Sequence, residues 1–200
     1  MRGTLVGMYA TLVEVTSEEA QALMRDPSEV NGLLEIAPDQ PGLIGRLFGK
    51  KPVEAPSYRM QWGPLESRTQ VDLDKNWSVL HTLLTGGGLE AGTGTPEGFI
   101  AHGGSEIGDI DVGYGPAQLL DTGEAGRVLE ALQRVDHKWI ESKWDIALLK
   151  SADPYPSSWG DLDEEDAQIW REDLSVVVQE LKSFLAGVVE RKSSVVLWVW

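Results

Sequence analysis

DEEDAQIWREDLSVVVQELKSFLAGVVERKSSVVLWVW, residues 163–200, decides the fold class. Trp170, Leu174, Val177, Leu181, Phe184 and Val188 follow one another at steps of 4, 3, 4, 3 and 4. That is the period of a helix with one buried face. Asp163, Glu164, Glu165 and Asp166 open the stretch, and Arg191 and Lys192 close it. Both ends then complement the helix dipole, so one long helix is predicted over about 163–189. The tail, VVLWVW at 195–200, has no polar position. A continuous apolar run of that length reads as a strand covered on both faces. Such a strand needs a sheet inside the protein, with other elements on either side of it.

The first partner for that strand is at the other end of the chain. Residues 5–15, LVGMYATLVEV, carry β-branched and aromatic types and read as a strand. Both terminal strands are too apolar to stand unpaired, which predicts a single domain over residues 1–200. Thr16 and Glu19 form a capping box that starts a helix. Asp26, Pro27 and Glu29 repeat the signal, with Asp26 as cap, for a second short helix ending near 37–38. Residues 38–68 are rich in Pro and Gly and read as an irregular excursion, with Leu47 and Phe48 packed back onto the body.

Asp74 is placed to cap a helix over 75–85, on which Trp77, Leu80, His81 and Leu84 share a face. Gly86, Gly87 and Gly88 end it. A short strand is expected at 99–101 and a turn at 113–116. Asp121 and Glu124 cap a helix that turns Val128, Leu129, Leu132 and Val135 inward. Asp136 caps a shorter helix running through Trp144, and 151–160 is turn-rich. There is no regular βαβ alternation. The order predicts an α+β fold: one mixed β-sheet with several packed helices, including a long C-terminal helix followed by a terminal strand.

Composition narrows the function classes. The 200 residues include 17 basic and 32 acidic side chains, a net charge of −15. Phosphate contacts need clustered Lys and Arg, so nucleic acid is not an expected partner. The one basic bias (Arg46, Lys50, Lys51, Arg59) lies in the Pro-rich excursion and reads as solvated charge. The chain has no cysteine, which removes disulfides, thiolate metal sites and cysteine nucleophiles together. No stretch reaches 18 apolar residues, and the first twenty residues lack a signal-peptide core, so a cytoplasmic protein without a membrane span is expected.

One block is specific enough to name a family. VDLDKNWSVLHTLLTG, residues 71–86, resembles the bacterial YfbM-like proteins, a family of unknown function. Gly113-Tyr114-Gly115-Pro116-Ala117, preceded by the acidic stretch 107–111, is similar to a second family block, and Gly7-Met8 and residues 45–51 to weaker ones. Val71 departs from the leucine of the pattern, and 86–98 is richer in glycine than the pattern. The resemblance implies a small α+β protein and carries over no catalytic residue.

The chemistry-bearing residues concentrate in those two blocks. His81 and Asp111 are the catalytic candidates. Asp72, Asp74, Lys75, Trp77, His81, Asp109, Asp111 and Tyr114 are binding candidates, with Trp159 added as a loop tryptophan able to stack on a ring. The plain alternative is that Asp74 is a cap and that Trp77 and His81 belong to the core. Asp109-Ile110-Asp111 resembles the start of a calcium loop but lacks the glycine at the sixth position and the glutamate at the twelfth. Three histidines without i, i+4 pairing give no metal site, and the glycine clusters follow a helix where a phosphate loop would open one. No cofactor is expected. Two functions remain. One is a non-enzymatic binding or interaction protein, whose acidic surface suits a basic protein partner. The other is an enzyme acting on a small polar ligand in a cleft between the 71–86 helix and the 109–117 turn. There His81 would be the acid/base, with Asp72 or Asp111 orienting it.

Overall fold

The computed structural model describes residues 7–36, 58–157, 159–160 and 162–200. The expected packing of Leu47 and Phe48, and most of the 38–68 excursion, lie outside the described residues. The strands are β1 (Ala10–Val15), β2 (Gln70–Asp72), β3 (Ser105–Asp111), β4 (Pro116–Leu120) and β5 (Ser194–Val199). The helices are α1 (Ser17–Arg25), α2 (Glu29–Leu33), α3 (Asn76–Thr85), α4 (Phe99–His102), α5 (Thr122–Leu132), α6 (His137–Lys143), α7 (Ile146–Ala152) and α8 (Glu164–Arg191).

The chain termini meet at the centre of the sheet. The strand order is β2-β1-β5-β4-β3. β1 and β5 pair along their full length, from Ala10 opposite Val199 to Val15 opposite Ser194. The fold is α+β, but the sheet is antiparallel at every described pairing, and the expected mixed sheet is corrected. A parallel neighbour needs a crossover that returns the chain to the same end of the sheet. Here β3 and β4 form a hairpin, and β5 enters between β1 and β4, antiparallel to both.

β5 is buried along nearly its whole length because both sheet faces are covered. Leu12, Val195, Leu197 and Leu120 face a large core built with α3, α5 and α8. Val13, Val15, Val196, Trp198 and Leu119 face a smaller one built with α1 and α2. α8 has 28 residues and is therefore about 42 Å long. Its Leu174, Val178, Leu181, Phe184, Leu185 and Val188 are buried, and Asp163 caps it by accepting from the Asp166 amide. The capping boxes at Thr16/Glu19 and Asp121/Glu124 form as expected, and Asp136 caps α6.

Other local expectations are corrected. Residues 99–101 are helical, not a strand: Phe99 and Ile100 bury themselves from one turn of α4. Asp26 does not cap α2. Its carboxylate accepts from the Ser28 amide and hydroxyl, and Ser28 stands at the cap position. Glu29 closes no box either. It is 2% exposed and accepts from the amides of Arg59 (2.5 Å) and Met60 (3.4 Å) and from the Trp62 indole (2.8 Å). Asp74 does not cap α3, which starts at Asn76 after Lys75. Asp74 has φ +48°, a left-handed residue held because its amide donates to Asp72 and its carboxylate accepts from the Lys75 amide.

Candidate functional site

α3 is buried on all sides from Asn76 to Leu84. A helix in that position must satisfy its polar side chains internally. Trp77 donates its indole N–H to the Met8 carbonyl at 3.2 Å. His81 is fully buried, and its Nε2 lies 3.2 Å from the Gly88 carbonyl. A carbonyl only accepts, so Nε2 carries the proton and the neutral ring keeps Nδ1 as an acceptor. That Nδ1 is buried with no partner among the described residues. Burial pushes the His81 ring below the ordinary histidine value; the Gly88 bond opposes this and neighbouring His102 adds to it.

His102, at the end of α4, repeats the arrangement. Its Nε2 donates to the carbonyl of Leu89 at 2.7 Å, and its ring meets His81 edge-on at 6.2 Å. The two histidines therefore hold two consecutive carbonyls of the segment that follows α3. Gly86 ends α3 at φ +74°, a conformation glycine adopts without strain. Further along, a side chain at Gly98 would overlap the Gly92 carbonyl, so the 92–98 loop closes only because both positions are glycine.

The held segment forms one wall of a cleft of 330 Å³. Leu89 and Glu90 line that wall, and Ile100, Ala101 and His102 line the next. Trp77 and Met8 form the back. Tyr114, from the β3–β4 turn, and Pro116 and Gln118 of β4 close the third side with the end of β5. Tyr114 is 57% exposed at the lip. Gln118 donates its Nε2–H to the Ala101 carbonyl at 3.2 Å, while its Oε1 is buried without a partner among the described residues. Asp111 shapes the turn, not the cavity. Its Oδ1 accepts from the Gly113 and Gly115 amides at 2.9 and 3.0 Å, which hold its carboxyl below the usual range.

The structure thus places a cleft where the two sequence blocks meet, but with a different cast. Trp77 and Tyr114 line it. His81 is sealed behind its wall and Asp111 is committed to its own turn, so the expected convergence of His81, Asp111 and Tyr114 on one open pocket does not occur. Asp72 faces the other side of the sheet with Thr11 and Trp198, and Asp74 and Asp109 are exposed away from the cleft. Partial desolvation pushes the Asp72 carboxyl up; the Asp74 amide opposes this and the Asp74 charge adds to it. Lys75 does not line the cleft. Trp159 is 2% exposed, donates to the Pro154 carbonyl at 2.6 Å and packs on Trp170 and Trp144 with ring centroids 5.3 and 6.2 Å away. It is a core residue. Among the described residues no group of His, Asp and Glu is placed to hold a metal, and no helix is long and apolar enough to cross a membrane.

A family model for a domain of unknown function, DUF1877, matches residues 6–198. The chain belongs to the DUF1877 family. Its fold is similar to the crystal structure of YfbM, a protein of unknown function from Escherichia coli, with a TM-score of 0.66 and 16% sequence identity. The match covers 96% of this chain and 99% of that one, and at this identity it speaks for the fold alone. No curated protein matches the chain. In this DUF1877 chain the cleft residues that sequence reading passed over are Met8, Leu89, Glu90, His102 and Gln118. His102 sits three residues after Phe99 in a stretch without periodicity, and Gln118 is an ordinary polar residue of a short strand. Neither carries a sequence signal of its own.

Proposed function

We propose that this DUF1877 protein is a non-enzymatic binding protein that holds a small ligand in the cleft between α3, the 88–102 segment and the β3–β4 turn. The observation that carries the reading is the lining of that cleft. Apolar side chains make most of its surface, aromatic groups stand at its back and lip, and a few polar groups converge on it. That is the usual composition of a small-molecule site, and 330 Å³ lies at the lower end of the usual ~300–1,000 Å³. Binding is favoured over catalysis because His81 is closed off and the Nε2–H of His102 is engaged in holding Leu89. The test fills the cleft from its wall. Ala101→Phe puts a ring into the cavity, and binding of small aromatic probes is followed by NMR at the Trp77 indole and the Tyr114 amide. Probes that shift those signals in the parent and not in a folded Ala101→Phe variant support the reading. Equal shifts in both refute it.

A further inference from the structure

We infer that the ligand is an organic amine, presented as an ammonium group on a small apolar or aromatic body. The inference rests on the cleft reading above and names the ligand class. It starts from the hydrogen-bonding inventory of the lining. Among the described residues no Lys or Arg lines the cleft. Its polar groups are Glu90, His102, Tyr114 and Gln118. With Nε2–H of His102 given to the Leu89 carbonyl, Nδ1 is the ring atom left for a guest. Gln118 cannot be turned around, because its Nε2–H already meets a carbonyl, and so its Oε1 is the atom left without a donor. Glu90 adds a carboxylate at the edge. The Tyr114 hydroxyl can donate or accept, and the second N–H of Gln118 Nε2 is a further donor.

A carboxylate or phosphate ligand would meet the Glu90 carboxylate and no described Lys or Arg, within a protein of net charge −15. An ammonium group brings three donors and a positive charge to the same place. An unmet buried acceptor is unfavourable, so a guest donor that reaches Gln118 Oε1 recovers part of that cost. The ring of Tyr114 at the lip and the indole at the back give an ammonium two aromatic neighbours, and aromatic faces attract cations.

The experiment uses the full chain and three probes that share one ring: phenethylamine, 2-phenylethanol and phenylacetate. Each is titrated while the Trp77 indole, Tyr114 amide and Gln118 side-chain signals are followed by NMR. Phenethylamine is expected to bind at least tenfold more tightly than phenylacetate, with the alcohol between them. Gln118→Leu is expected to weaken phenethylamine by tenfold or more. Glu90→Gln, an exposed change that leaves the fold intact, is expected to weaken it severalfold and to flatten its salt dependence. Phenylacetate binding as tightly as the amine, with the same signals moving, overturns the ligand class and leaves the cleft in place. An amine preference that survives both variants also overturns it. If no probe moves these signals, the cleft reading fails and the ligand class fails with it.

Discussion

His81 makes stability depend on pH in a direction the structure fixes. The ring is fully buried and its native value is pushed below the ordinary one by desolvation. In the unfolded chain a histidine titrates near ~6.5. Between the depressed native value and ~6.5 the unfolded state therefore binds more protons than the native state, and stability rises with pH. The contribution of the neutral ring is fully present above ~6.5 and is lost as pH falls toward the native value. The limiting slope for one such group is about 1.4 kcal/mol per pH unit. Against a total of about 5–15 kcal/mol that is a readable change. Carboxylates held low, such as Glu14 and Glu19, lose their contribution at lower pH, so they do not imitate the effect near neutrality. Asp72, pushed up by burial, acts in the opposite sense. The assay is urea denaturation followed by tryptophan fluorescence at several pH values between about 5.5 and 7.5. His81→Gln keeps one donor and one acceptor and removes the titration, so its stability should be nearly level over that window while the parent's falls on the acid side. A level parent curve refutes the reasoning. So does an equal slope in His81→Gln, or a native His81 ring that titrates at or above ~6.5 by NMR.

Three further outcomes follow from contacts elsewhere. Trp159→Phe removes the 2.6 Å bond to the Pro154 carbonyl inside the tryptophan cluster; that carbonyl keeps the Ser157 amide as a donor, so the lost bond should cost about 0.5–1.5 kcal/mol in urea denaturation. Glu29→Gln turns an acceptor for the Arg59 and Met60 amides and the Trp62 indole into a group that also donates; a loss of about 1–3 kcal/mol is expected, with new protease cleavage near residues 58–62. Arg191→Ala breaks the two-bond pair with Glu14, whose arginine side chain is 50% exposed, so denaturation should show only a small change, one that shrinks at high salt.

What could be read from the sequence divides by how far the decisive contacts reach along the chain. Thr16 with Glu19, and Asp121 with Glu124, are i, i+3 signals that close within a single turn, and both formed. The long helix was legible because its period repeats over many turns. β3 was missed because Ile107 is its one buried residue; an exposed edge strand has no apolar alternation to show. Phe99-Ile100-Ala101 was assigned to the wrong class because three apolar residues cannot distinguish a strand from one helical turn. Glu29 fitted a capping box by spacing and is instead claimed by residues 59–62, about thirty positions away. The cleft follows the same rule. Trp77 and Tyr114 were reachable because they stand in distinctive blocks, whereas Gln118 matters only for what its amide meets across the hairpin.

The 71–86 block now has a physical account that does not require catalysis. α3 crosses the interior, and Trp77, Ser78 and His81 each tie down a different part of the chain. Trp77 holds the Met8 carbonyl. The Ser78 hydroxyl accepts from the Tyr155 amide at 3.0 Å. His81 holds the Gly88 carbonyl, and the Thr85 hydroxyl turns back to the His81 carbonyl at 2.8 Å. Two of these ties, at Met8 and Gly88, anchor segments that reach the cleft walls. The block is therefore upstream of the cleft: it sets where the walls stand, and the cleft's chemistry comes from residues outside it except at Trp77. A substitution at His81 should on this account change the position of Leu89 and Glu90, and a ligand would sense it as altered fit, with no lost proton donor. That ordering also explains why the most distinctive stretch of the sequence lies beside the cleft while most of the cleft's lining comes from other residues.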